Sequence, residues 1–316
     1  LLMIIAASLK AVFLPKQTGQ NMKKWLAILL VLGSAIIFGV TPALIRFTYD
    51  MGSNGTNATF MKSLLAIPIL IGILLKLRIP IMPEKSNWKI VFLWMGLCMA
   101  ITSVLLTISY AYIPVGISTV LHFIYPTMVA VLGVIIFKQR PNKGKIISLV
   151  LCLIGIAMFF EKGGSVNILG IIMALCSGVT YALYIIGLDH PSVQKMHYLR
   201  LTLYMNISIV IVSGIFGAAR GEIVFDMPML SWVYMLICAV FTMVLALCMF
   251  AVGAKYIGGL TSAVLSTLEP ITSVITGWLF LGESLTWLKL IGCVFIVISI
   301  IVITRAQEPE NNAESE

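Results

Sequence analysis

Charge is what this sequence has least of. Only 10% of its residues are Asp, Glu, Lys or Arg, against about a quarter in a soluble domain. Histidine is scarcer still, with 3 in the whole chain, His122, His190 and His197. No two of them stand at a spacing that would grip a metal from one helix face, and no glycine-rich phosphate loop is present. The groups that a metallohydrolase, a nucleotide-binding enzyme or an ATP-driven pump needs are therefore missing, and no catalytic residue, cofactor or metal is expected. A channel filter is not recognisable. The cysteines are Cys98, Cys152, Cys176, Cys238, Cys248 and Cys293. They all fall inside apolar runs, which argues against a disulfide framework and for small packing residues. The formal charge of +9 does not point to nucleic acid, because the cations sit in short gaps between apolar runs.

What the sequence has in abundance is apolar surface. Hydrophobic residues make up 60% of it and the mean hydropathy is +1.07, which marks an integral membrane protein. A helix needs about 20 apolar residues to cross the bilayer core. Ten such spans are expected near 25–46, 57–76, 88–110, 116–137, 144–161, 167–187, 198–218, 230–252, 259–281 and 287–304. The short gaps require neighbouring spans to run antiparallel. Residues 1–21 read as a leader or upstream segment, with Met22-Lys23-Lys24-Trp25 resembling a natural start. Residues 305–316 read as an acidic, disordered cytoplasmic tail.

Lysine and arginine set the orientation. With the N-terminus inside, sixteen of the twenty-one cations face the cytoplasm. Cytoplasmic loops are the ones enriched in Lys and Arg, so both termini are expected there. Trp25, Trp88, Trp232 and Trp287 each open a span, at the depth where interfacial aromatics belong.

The chain repeats itself. Tyr112–Ile156 aligns without a gap on Tyr256–Ile300, matching Ser118 with Ser262, Pro126 with Pro270, Gly133 with Gly277 and Lys145 with Lys289. Gly39-Val40-Thr41 in the first span matches Gly178-Val179-Thr180 in the sixth. Prolines, glycines and polar residues matching in phase are not what two leucine-rich helices give by chance. Five helices per half is an odd number, so the halves must insert in opposite senses, as in many secondary transporters. The expected fold is an all-α membrane protein of ten transmembrane helices in two inverted five-helix repeats, residues 22–161 and 162–304.

These residues resemble the drug/metabolite transporter superfamily in its ten-helix EamA branch. The most specific matches are Leu268-Glu269-Pro270, Gly277-Trp278-Leu279-Phe280-Leu281-Gly282-Glu283-Ser284-Leu285-Thr286, and Gly292 in the last span. The resemblance covers roughly Met22–Thr304. Where the family motif near the start of the second helix usually has arginine, this chain has Lys62. The resemblance implies a carrier for small metabolites in the inner membrane of a bacterium, often an exporter of amino acids or related compounds.

The most costly residue in the chain is Glu269, a carboxylate midway along an apolar span and followed by a helix-breaking proline. Ionisable groups at that depth usually face a bundle interior or a wet cavity. The repeat alignment pairs Glu269 with Tyr125 and Ser266 with His122. His122 and Tyr125 are three apart on one helix face, so Glu269, His122 and Tyr125 are expected to line one central cavity. Glu269 or His122 is then a candidate proton carrier. The competing reading gives Glu269 an architectural role, bonding the backbone that the proline frees, and makes His122 a satisfied core histidine. Lys62 either snorkels to the outer interface or turns inward, and its counterpart in the seventh span is Asn206. Thr41, Tyr181, Tyr110 and Tyr184 are weaker candidates for the pathway. Pro42, Pro126 and Pro270 are expected helix breaks, and Ala35, Gly39, Ala174 and Gly178 are expected close-packing positions.

The expected function is alternating-access secondary transport of small metabolites such as amino acids, outward across the cytoplasmic membrane. Protons are a candidate coupling ion. A gradient-driven facilitator and a lipid scramblase or flippase are the alternatives. The expected partners are the substrate, membrane lipids and at most a second copy of the chain.

Overall fold

The computed structural model describes residues 24–82, 88–109, 112–113, 115–137, 142–158, 167–281 and 285–306. The expected leader at 1–21, Tyr110 and the Gly282-Glu283-Ser284 turn lie outside the described residues, as does the tail beyond Ala306.

Every regular element among the described residues is helical. The first half holds α1 (Lys24–Tyr49), α2 (Gly55–Lys76), α3 (Lys89–Ser109), α4 (Val115–His122), α5 (Tyr125–Phe137) and α6 (Lys143–Ala157). The second half holds α7 (Ile168–Leu188), the short α8 (Pro191–Gln194), α9 (Tyr198–Arg220) and α10 (Met229–Ile257). It closes with α11 (Gly259–Leu265), α12 (Leu268–Leu281) and α13 (Trp287–Ala306). Eight stretches, one of them α11 with α12, are long and apolar enough to cross a membrane. Of the other two expected spans, one is divided into the 8-residue α4 and the 13-residue α5, and the other is the 15-residue α6.

Two of the three expected breaks occur. α4 ends at His122 and α5 begins at Tyr125, so Pro126 is its second residue. α11 ends at Leu265 and α12 begins at Leu268, so Pro270 is its third. The first turn is where proline's missing N–H costs nothing. Pro42 is a correction: it sits inside α1, which runs on unbroken. Membrane helices carry a proline in mid-span when neighbours and local adjustments satisfy the freed carbonyl. Two π-helical segments, Lys89–Gly96 in α3 and Ala239–Ala246 in α10, are not expected from the apolar pattern. They fall in the third membrane span of each half.

The helices pack in repeat-related sets. α6 lies against α13, and α2 against α9. α3 against α7 answers α10 against α1, and α5 against α7 answers α12 against α1. Both faces of the bundle are pinned in the same style. On the far face, opposite the start of α1, Asn54 caps α2 by accepting the Asn57 N–H at 2.8 Å, and its Nδ2 donates to the Glu222 carbonyl at 2.8 Å. On the near face, where α1 begins, Arg200 donates to the Pro80 and Met82 carbonyls and the Tyr204 hydroxyl to the Ile81 carbonyl. In each half, the start of the second membrane span clasps the loop that follows the second membrane span of the other half.

Candidate functional site

The two breaks bring the expected residues together. Gly39 on α1 and Gly178 on α7 let this happen. A Cβ on Gly178 would stand 2.6 Å from the His122 carbonyl oxygen, so no larger residue fits without moving the chain. Ala35 and Ala174, one turn away, are buried at 1% and 0% exposure. These positions are close-packing sites, as expected.

Around the breaks the rings form a connected cluster. The His122 ring lies 5.5 Å from Tyr125 and 5.4 Å from Tyr181, centroid to centroid. Tyr125 meets Tyr181 edge to face at 4.8 Å, a favoured aromatic geometry. Tyr184 and Phe250 stack behind Tyr181 at 5.8 and 6.4 Å. Tyr184 itself is 1% exposed and belongs to the core.

Glu269 and Lys62 complete the group. The Glu269 carboxyl acts electrostatically on Lys62, Tyr125 and Tyr181. Lys62 has turned inward: it is surrounded by protein and feels Cys238 and Glu269. Glu269, Lys62 and Tyr181 are enclosed by the bundle yet only half-buried. That combination describes side chains lining an internal space. Glu269 thus brings a carboxyl group within electrostatic reach of one amine and two tyrosine hydroxyls.

His122 has its own partner. Its Nδ1 lies 2.9 Å from the Ser177 hydroxyl, and Ser177 donates to the Ala174 carbonyl at 2.6 Å. The ring is therefore the donor to Ser177, with its proton on Nδ1 in the neutral form. The Tyr125 hydroxyl is buried near Ser266 without a well-formed hydrogen bond among the described residues. A buried polar group left so is uncommon.

The remaining candidates sit at helix contacts. Thr41 Oγ1 shares a hydrogen bond with Thr242 at 2.8 Å, tying α1 to α10. Thr180, the repeat counterpart of Thr41, does the same with Thr102 at 2.7 Å, tying α7 to α3. Asn206 Nδ2 donates to the Thr202 and Met243 carbonyls at 2.9 and 3.2 Å, and its buried Oδ1 has no partner among the described residues. Sequence reasoning missed Ser177, Phe250, Thr102 and Thr242. Ser177 precedes Gly178 directly and Thr180 follows it by two, so the repeat motif marked their turn of helix without naming their partners.

One solved protein crystal structure superposes on this chain with a TM-score of 0.71, covering 90% of this chain and 98% of its own at 12% identity. That likeness concerns the fold alone. Among named relatives, the uncharacterized transporter YcbK of Bacillus subtilis is 25% identical over 86% of this chain and 91% of its own. The threonine/homoserine exporter RhtA of Salmonella typhimurium is 26% identical over 92% of this chain and 96% of its own. The EamA-like transporter family matches residues 25–160 and 168–305, one match per repeat. The chain is a member of the EamA-like transporter family.

Proposed function

We propose that this transporter exports small zwitterionic metabolites, amino acids among them, across the cytoplasmic membrane by alternating access. The observation that carries the reading is the enclosed pair of Glu269 and Lys62, set beside the break between α11 and α12 and walled by Tyr125 and Tyr181. In this reading Lys62 meets the substrate carboxylate and Glu269 its ammonium group. The tyrosine rings and the His122 edge shape the space around the side chain. The breaks before Pro126 and Pro270 are the points at which the halves rock. Relatedness to an exporter of threonine and homoserine supports the substrate class and the outward direction. The excess of Lys and Arg in the loops on the near face supports both termini in the cytoplasm.

The test uses proteoliposomes loaded with labelled amino acids. Efflux is measured for the native chain and for Glu269→Gln and Lys62→Gln at matched protein content. The reading expects efflux to fall by tenfold or more in each variant, the loss of about 1.4 kcal/mol of differential binding. Native-level efflux in both would remove the pair from the site. An imposed pH gradient separates proton coupling from facilitated movement, since a facilitator gives equal fluxes with and without it.

A further inference from the structure

A groove that shares no lining residue with the Glu269 site lies on the outside of the bundle. α7 and α9 barely touch, and α3 lies behind the gap between them. Ile101, Leu105 and Ile108 on α3 form the floor of a groove of about 320 Å³, with Val212 and Phe216 on α9 and Met173 on α7 as its walls. Its flanks carry Ile172, Ile211 and Ile215, exposed at 51%, 53% and 68%. Apolar side chains exposed that far on a membrane-spanning helix face lipid, so the groove opens to the bilayer. From Val212 to Arg220 the helix rises about 12 Å, close to the ~15 Å depth of one leaflet of the hydrocarbon core.

The far end of the groove is polar. Arg220 and Tyr112 close it, at the helix end where headgroups lie. The Arg220 guanidinium stands 5.3 Å from the centroid of Phe216 and engages the Tyr112 side chain. Its Nε donates to Glu222 at 2.5 Å. Both charged side chains remain partly open to the surroundings, at 46% and 25% exposure. A cation and an anion therefore stand side by side above an apolar slot one leaflet deep.

We propose that this groove is a binding site for one zwitterionic phospholipid with a phosphoethanolamine headgroup. One acyl chain lies between α7 and α9, the phosphate faces Arg220 and Tyr112, and the ammonium group faces Glu222. A purely anionic headgroup meets Glu222 unfavourably. The site belongs to one leaflet only. At the spacing that aligns Tyr112 with Tyr256, the counterparts of Ile101, Leu105, Ile108 and the neighbouring Val104 on α3 are Leu245, Met249, Val252 and Cys248 on α10, and all four are buried. Cys248 there donates to Thr202 of α9 at 3.3 Å. Below Tyr112 and Arg220 the lining residues are all apolar, so the proposed role is to retain a lipid and not to flip it.

Native mass spectrometry of the full chain in detergent, with palmitoyl-oleoyl phosphatidylethanolamine or the matching phosphatidylglycerol added back, tests this without any transported substrate. Its outcome is thus independent of the carrier reading. One phosphatidylethanolamine per chain is expected, preferred over phosphatidylglycerol by about tenfold. Leu105→Trp fills the floor and is expected to abolish retention. Val212→Trp fills a wall and replaces it should the first variant not fold. Arg220→Gln with Glu222→Gln is expected to keep a bound lipid but equalise the two headgroups. Equal retention of the two lipids by the native chain, displacement of both by detergent, or full retention in a correctly folded tryptophan variant would each overturn the proposal.

Discussion

A Cβ built on Gly39 would stand 2.6 Å from the main-chain oxygen of Glu269. α1 thus rests on bare backbone at the start of α12, where the site's carboxylate emerges. Gly178, the repeat counterpart of Gly39, has the same relationship with His122. The repeat alignment pairs His122 with Ser266, not with Glu269, so the contact has slipped by three residues, about one helical turn. The halves share a design, and their packing differs by that turn.

Gly39→Ala places a methyl group inside contact distance of Glu269 and Thr272. Overpacking costs about 1–3 kcal/mol, more than the ~1 kcal/mol that alanine gains over glycine in a helix. The variant is expected to melt several degrees lower in detergent. Gly72→Ala is the control, since a Cβ there meets nothing within 4 Å, and its melting temperature should hold or rise. Equal shifts in the two variants would contradict the close approach.

Removing one member of the enclosed Glu269 and Lys62 pair leaves the other without compensation. The two act on each other electrostatically but form no close ion pair among the described residues. Glu269→Gln and Lys62→Gln are therefore each expected to lower thermal stability modestly, and the double variant to lose less than the sum of the two while staying inactive. Additive losses in the double variant would show that the two groups do not interact.

The threonine bridges offer a matched pair. Thr41→Val should loosen α1 from α10, and Thr180→Val should loosen α7 from α3. Each loss is expected at about 0.6 kcal/mol, the average measured for hydrogen bonds between membrane helices, and at most about 1.7 kcal/mol. Because separate helix pairs are involved, the two effects should add. Denaturant or thermal unfolding of the single and double variants reads this directly.

Two groups at the near face predict opposing pH responses. Burial pushes the Asp189 carboxyl up to about 6, partly offset by the Gly259 N–H that it accepts at the start of α11. The folded chain then holds that proton more tightly than the unfolded one. The group's contribution is greatest below the unfolded value of about 4 and is lost as pH rises through about 6. Burial, then Lys255 and Arg200, hold His197 down at about 4. Its contribution is present above the unfolded value of about 6.5 and is lost as pH falls toward about 4. Between pH 4 and 6.5 the two oppose each other. Asp189→Asn should make melting more acid-sensitive than in the native chain, and His197→Asn, which keeps a helix-capping side chain, less so. Parallel melting curves across that window would refute both assignments.

Much of this molecule can be read without coordinates. Long apolar runs fix the membrane helices because no other structure satisfies the backbone in lipid. The in-phase prolines of the repeat located both helix breaks. Glu269 stood out because a charge at that depth is too costly to be incidental. Pro42 was misread as a break because its own sequence matches that of a breaker, while its neighbours in space decide whether the helix continues.

What the sequence by itself determined was therefore local and solvation-driven: which stretches span, where they break, and which residue the bilayer would not tolerate unpaired. Only the tertiary structure decided the direction of Lys62, the partner of His122, the matched threonine bridges and the groove between α7 and α9. Those features depend on which helix faces meet and in what register. A helix whose whole surface is apolar carries almost no record of that, since lipid and protein interior are equally acceptable to leucine.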